Sequence, residues 1–437
     1  MKNTVLTLQE RLFSIIRRLG EEPERYARKP GRAFARKRTL MPAVLIQLIV
    51  TMDKKSIWKG LPGHFRKRID TPSASVFVQQ RQKLLPSALE DLFHRFSDQL
   101  RPQKKFRGYR LLAADGSSLK SGAYPTDKDA YRPGTERQHG WNLFHINALF
   151  DLENSIYTDA IVQKEHTKRE SKALREMVVR SAITDPVILL ADRNYEAYNN
   201  FACLEKRGWK YLIRIKDHER KNAYGVKLPD ESEFDLPVRM ALGRLTPQQL
   251  RQRDIPVPKR YYRLPNSIPF DFLDTESTAF YEFSARIVHL TLKDGRTQMM
   301  ITNLDAEQFL LSALRELYAR RWGIETSFRE LKYTVGLIHL HSRKSDLVLQ
   351  EIFAAFRVFN FTQAVAWNTD VGCGHSKYKR RVNFSHAVYL CCEALRGKSA
   401  EMTGLLERTL TPRRPDCFYP RPKIADNRLS AMYVSAR

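Results

Sequence analysis

The sequence predicts an α/β protein whose mixed core carries a β-rich insertion and is flanked by helical regions at both ends. Three observations predict it. Apolar residues recur at three-to-four-residue spacing over the first 100 positions and again near the C-terminus. Between these ends, short apolar runs and amphipathic stretches follow the order of an antiparallel meander, then strand, helix, strand, helix, strand. Residues 218–304 break that rhythm with prolines, acidic turns and β-like runs.

In chain order, LTLQERLFSIIRRLGE, MPAVLIQLIVTMDKK and SVFVQQRQKLLPSALEDLFHRFSDQL read as helices, with the basic loop ARKPGRAFARKRT between the first two. Residues 1–107 thus read as a helical DNA-binding region. A helical cap with a solvated basic face is the alternative. YRLLAAD (109–115), WNLFHINALFD and NSIYTDAIVQK make the meander, with Asp151-Leu-Glu-Asn154 as its second turn. KRESKALREMVVRSA and AYNNFACLEKRGW are helices alternating with the strands DPVILLAD (185–192) and KYLIRIKD (210–217). Inside the insertion, TAFYEFSARIVHLTL reads as β and Asp294-Gly295 as a hairpin turn. Helix resumes with Asp305 as N-cap and persists to Val335, where Gly336 stops it. The core therefore comprises 108–217 and 305–345. Residues 346–437 add the helices LQEIFAAFRVFNFTQAVAW and SHAVYLCCEALRG and an extended basic tail, TPRRPDCFYPRPK, a region suited to dimerisation or DNA contacts.

The chain has 437 residues and a net charge of +27, more than solubility needs, so a polyanion is the expected partner. The charge sits at the ends: +16 over residues 1–110, +8 over 336–437 and +3 between. The longest apolar run, MPAVLIQLIVTM, falls short of the roughly 20 residues a membrane helix needs, and no signal peptide is visible. A soluble, cytoplasmic protein is expected. Five cysteines without Cys-x-x-Cys spacing support neither a disulfide framework nor a zinc site. Cys373-Gly-His375 and His339-Leu-His341 likewise lack a second half at zinc-like spacing.

Two apolar runs end alike, LLAAD at Asp115 and LLAD at Asp192. If the strands are neighbours, both carboxylates lie on one sheet edge, where ligands of open α/β sheets bind. Either aspartate alone could equally be a turn or cap residue. In the last helix of the core, about 100° per residue puts Tyr318, Arg321, Glu325, Arg329 and Lys332 in a stripe of about 80°. Leu317, Ile324, Phe328, Leu331 and Val335 flank it on one side, so the stripe starts at the rim of the core. An i, i+4 pair between Arg321 and Glu325, worth a few tenths of a kcal/mol, is the competing explanation, and spacing alone does not separate the two.

Tyr, two residues, Arg, three residues, Glu, six residues, Lys is the signature of a subgroup of the DDE transposases of bacterial insertion sequences. Tyr318, Arg321, Glu325 and Lys332 match it within LYARRWGIETSFRELK. AADGSSL around Asp115 and ADRNY around Asp192 also resemble the family, over about residues 108–345. Asn194 departs from the usual glycine, a change that asparagine's tolerance of left-handed backbone makes mild. The resemblance implies a ribonuclease-H-like (retroviral-integrase-like) catalytic domain with Asp115, Asp192 and Glu325 as catalytic metal ligands. Tyr318, Arg321 and Lys332 would contact DNA. Three carboxylates suit Mg²⁺, with Mn²⁺ able to substitute, and two such ions can activate the nucleophile and stabilise the leaving oxygen. The implied activity is cut-and-paste movement, with a hairpin step, acting on double-stranded DNA at element ends and target, as a homodimer associated with the bacterial nucleoid. A metal-dependent nuclease or resolvase of the same fold, or a non-catalytic DNA-binding derivative, are the alternatives. In the insertion, Tyr261, Tyr262, Phe270 and Phe272 could stack a flipped base, though core packing explains them more simply.

Overall fold

The apolar run RLLAA opens strand β1 (Arg110–Gly122), which is paired on both sides. The computed structural model that shows this describes all residues except 1, 37, 53–56, 66–68, 70, 137, 217–221, 293–294, 368, 370–379, 398–401 and 413–437. On one side β1 runs antiparallel to β3 (Trp141–Asp151), whose far edge takes the short β2 (Tyr131–Arg132) and β4 (Ile156–Lys164). On the other it runs parallel to β5 (Val187–Ala191), itself parallel to β6 (Lys210–Arg214). Helices α7 (Glu170–Arg180) and α8 (Tyr198–Lys206) make the two crossovers. After a small ribbon, β7 (Asn222–Ala223) with β8 (Val226–Lys227), the described part of the predicted insertion extends the same sheet. Its strands β9 (Phe234–Gly243), β10 (Tyr261–Arg263), β11 (Tyr281–Thr291) and β12 (Thr297–Thr302) give the order β10-β9-β11-β12-β6-β5-β1-β3. Antiparallel pairing of β12 with β6 makes the junction. Short α9 (Pro247–Gln252) follows β9. Gly295, at φ +80°, donates to Leu292 O (3.0 Å) in the β11–β12 turn, while Asp294 of the expected turn lies outside the described residues.

Alternation along β1 sends Leu112 and Ala114 into a core shared with α7 and α8. Leu111 and Ala113 enter the cores on the other face of the sheet. That second face is covered by helices from both ends of the chain. The N-terminal helices are α1 (Lys2–Glu21), α2 (Pro23–Tyr26), α3 (Pro42–Thr51), α4 (Ile57–His64), α5 (Ala74–Arg81) and α6 (Ser87–Gln99). The helical stretch expected over 75–100 is two helices, parted around Leu85-Pro86 by the proline. Their apolar stripes share one core with α12 (Ser345–Trp367) and α13 (Phe384–Leu395). Arg81, fully buried, ties α5 to α12 by donating to Gln350 Oε1 (2.7 Å), Glu351 Oε1 (2.9 Å) and Leu347 O (2.6 Å). A last helix, α14 (Met402–Arg408), and a bridge of β13 (Arg380–Arg381) with β14 (Thr411–Pro412) complete the described chain. The tail from 413, Cys373, His375 and Cys417 lie outside it. Cys203, Cys391 and Cys392 are free thiols, and His341 lies 3.6 Å from Glu351 in an ion pair. No described helix is long and apolar enough to cross a membrane.

Candidate active site

Parallel pairing of β1 with β5 ends at Ala114 opposite Ala191, so the next residues, Asp115 and Asp192, stand side by side at one edge. Their backgrounds differ. β5 stops because the Asp192 carboxylate accepts from the N–H of Asn194 (2.9 Å) and caps a short 3₁₀ turn over Arg193–Tyr195. β1 does not stop at Asp115 as the apolar run implied. It continues through GSSLKSG because β3 supplies partners as far as Gly122 opposite Trp141. Asn194 is absent from the left-handed residues, so its place in the turn requires no special tolerance, contrary to the sequence-based argument.

The helix bearing Glu325 also differs from expectation. Asp305 accepts from the N–H groups of Glu307 and Gln308 (3.0 Å each) and caps one turn; the helix α10 begins only at Leu311 and ends at Ala319. After a break at Arg320 and Arg321 the chain resumes as α11 (Trp322–Arg329), then widens into a π turn over Glu330–Thr334. The break has partners on each arginine: Arg320 pairs with Glu153 and Glu316, and Arg321 turns to Asp115 and Glu325. Gly323 lets α11 approach the β3–β4 turn, since a Cβ there would lie 2.6 Å from Leu152 Cδ2. Ile324 and Phe328 join the core beneath, and Tyr157 and Ser327 share a buried hydrogen bond (2.8 Å). Together these contacts fix which way Glu325 faces.

Arg321 is the hub of the site. Its Nη2 donates to Glu325 Oε1 at 3.0 Å and its Nη1 lies 4.0 Å from Asp115 Oδ2. Arg321 is only 6% exposed, its guanidinium stacked against Trp322 (4.9 Å to the ring centre) and Tyr318 (5.6 Å). Tyr318 is itself 3% exposed, so it supports Arg321 more than it faces solvent. Lys332, carried on the π turn, donates to Ser118 O (2.7 Å) three positions beyond Asp115 on β1. Burial lowers its ammonium pKa. Arg329 is exposed.

Burial pushes the Asp115 carboxyl up to about 6. The Gly116 N–H (2.8 Å) and Arg321 oppose that rise, while the negative charges of Asp192 and Glu325 add to it. Asp115 therefore feels both other carboxylates, and one guanidinium sits against Asp115 and Glu325. Sequence reasoning missed the layer behind Asp115. A Cβ on Gly116 would lie 2.5 Å from His145 Nε2, which is 3.0 Å from Glu170 Oε1. Tyr195 is buried there with no partner for its hydroxyl among the described residues. A histidine in the mostly apolar run FHINALF was the available signal.

An all-carboxylate donor set fits a hard divalent ion such as Mg²⁺. Among the described residues no three His, Cys, Asp or Glu side chains are close enough together to hold one, and Arg321 supplies the positive charge between Asp115 and Glu325.

A protein-family model described as the transposase DDE domain matches residues 106–361. The chain belongs to that family of DDE-domain transposases. Over 312 residues it is 31% identical to transposase InsG for insertion sequence element IS4 of Escherichia coli (strain K12), an alignment covering 69% of this chain and 62% of that protein. The chain thus spans somewhat under two thirds of that relative's length. A solved piggyBac transposase synaptic complex with hairpin DNA overlays 94% of this chain and 86% of its own at TM-score 0.44 and 12% identity, a likeness too loose to carry an argument.

Proposed function

We propose that this protein is a DNA transposase of the Tyr-Arg-Glu-Lys subgroup, which binds the ends of an insertion sequence, cuts there and joins the freed ends to new DNA. The observation that carries the reading is the side-by-side placing of Asp115 and Asp192, with Glu325 tied to Asp115 through Arg321, in a chain of this family. The run β4-β3-β1-β5-β6, antiparallel then parallel, is the order expected of a ribonuclease-H-like core. On this reading, 1–107 binds DNA, 218–304 is the insertion and 346–437 serves dimerisation or DNA contacts.

Asp115, Asp192 and Glu325, not close enough together while Arg321 sits between them, would hold Mg²⁺ or Mn²⁺ once Arg321 turns to a DNA phosphate. Bound there, the ions supply Lewis-acid activation of the attacking oxygen and stabilisation of the leaving one. The protein's own groups orient the strand. Arg321 offers a planar fork and Lys332 a point charge for the phosphates flanking the cut, while Tyr318 holds the Arg321 plane. Pairing of two ends calls for a homodimer, working on nucleoid DNA in the cytoplasm, with a hairpin as the intermediate that frees each end.

Incubating the purified chain and Mg²⁺ with linear duplex carrying the terminal inverted repeats tests this. Double-strand cleavage at the repeat boundary followed by joined products is expected. Cleavage without joining would mean a nuclease, and binding without either would mean a non-catalytic derivative.

A further inference from the structure

A cleft of about 970 Å³ lies where three separate parts of the chain meet. The turn after α2 brings Arg28, Lys29 and Arg32; the β1–β2 loop brings Lys128; Lys83 and Lys344 flank α5 and α12. The acidic groups in the lining are already engaged. Asp127 pairs with Lys164 (2.9 Å) and Ser345, Asp129 lies 4.0 Å from Lys164, and Asp346 pairs with Arg28. Among the described residues Lys83 and Lys344 meet only amide oxygens, of Gln80 (3.0 Å) and Gln82 (3.2 Å). Lys29, Arg32 and Lys128 have no carboxylate partner among the described residues, and all three are exposed. Cations spaced around an open cleft suit a row of phosphates; a small anion would need donors that converge and are buried.

The cleft is also in line with the active site. β1 leads from Asp115 to Gly122, and Tyr124 in the loop beyond it lines the cleft. Between them stand Lys332 on Ser118 and Arg343, whose exposed side chain lies against Gly122. At about 3.3 Å per residue the path from Asp115 to Tyr124 is about 25–30 Å. Duplex DNA rises about 3.4 Å per base pair, so the path spans about 7–9 base pairs.

We propose that this cleft is a second DNA-backbone site, gripping duplex phosphates about 7–9 base pairs from the bond cut beside Asp115 and Asp192. Because its walls come from the N-terminal helices, the sheet and α12, DNA seated in it contacts all three at once. The placement rests on the transposase reading, but the cleft's affinity for DNA does not require chemistry.

The test uses the full-length chain with Lys29→Gln, Arg32→Gln and Lys128→Gln combined, three exposed side chains that make no ion pair or side-chain hydrogen bond among the described residues. The probe is a labelled duplex of about 30 base pairs ending in the terminal repeat, titrated at several salt concentrations, with phosphate-ethylation interference on the same duplex. Affinity should fall about tenfold and the salt slope should shrink by about three. Interference should vanish at phosphates about 7–9 base pairs from the cut and persist beside it. Unchanged affinity and slope would overturn the cleft even if the protein cleaves normally. Lost affinity in a protein that never cleaves would keep the cleft and sink the transposase reading.

Discussion

Arg321 and Glu325 are joined by a hydrogen bond of 3.0 Å that also brings the guanidinium to 4.0 Å from Asp115. The built-in cation thus sits where two candidate metal ligands meet. A divalent ion arriving there competes with it, and a DNA phosphate offers Arg321 another partner. Arg321→Gln should therefore bind Mn²⁺ more tightly than the parent protein in the absence of DNA, by about three- to tenfold. Titration followed by the electron paramagnetic resonance of free Mn²⁺ reads this directly; equal or weaker binding would reject the competition.

Asp115 makes stability depend on pH. Its carboxyl is held at about 6, above the ordinary 3.8, so between those values the folded chain keeps a proton that the unfolded chain has lost. Stability should fall as pH rises from about 4 through 6, with a full penalty above that of about 3 kcal/mol. In EDTA, Asp115→Asn should be more stable than the parent at pH 8 by up to that amount, and the gap should close toward pH 4. Urea midpoints across this range would contradict the burial argument if the gap stayed constant.

Arg81 joins the N-terminal helices to α12 through a charge pair with Glu351 in which the arginine is fully buried. Removing Glu351 leaves the buried guanidinium without its counter-charge, and removing Arg81 leaves Glu351 to His341. Arg81→Ala should cost about 3–5 kcal/mol, whereas Arg81→Ala with Glu351→Ala should cost less than the two single changes summed. Chemical denaturation of the four proteins measures the coupling, and strict additivity would argue that the pair is not load-sharing.

Much of this site could be read from local pattern. Asp115 and Asp192 each follow an apolar run, and parallel pairing puts residues that follow paired runs at one edge. Glu325 stood out as the one carboxylate in its stripe, beside the core. What escaped detection was non-local. β1 continues past Asp115 only because β3 lies opposite GSSLKSG, a stretch with little apolar pattern of its own. The break at Arg320–Arg321 has no glycine or proline at its own positions; it accompanies ion pairs to Glu153 and Asp115, both distant in sequence. Strands of 218–304 were recognisable, but nothing local announced that β12 would pair with β6 and lengthen the sheet. Burial of Arg81 likewise has no local signal, since its partners Leu347, Gln350 and Glu351 are all distant in sequence.

The central claim is that Asp115, Asp192 and Glu325 act together on a phosphodiester. Glu325→Ala tests it most directly, in a cleavage assay on end-bearing duplex with Mg²⁺, alongside a binding assay on the same DNA. The predicted result is no detectable cleavage with end binding largely intact. Cleavage by the Glu325→Ala protein at the parent rate would contradict it.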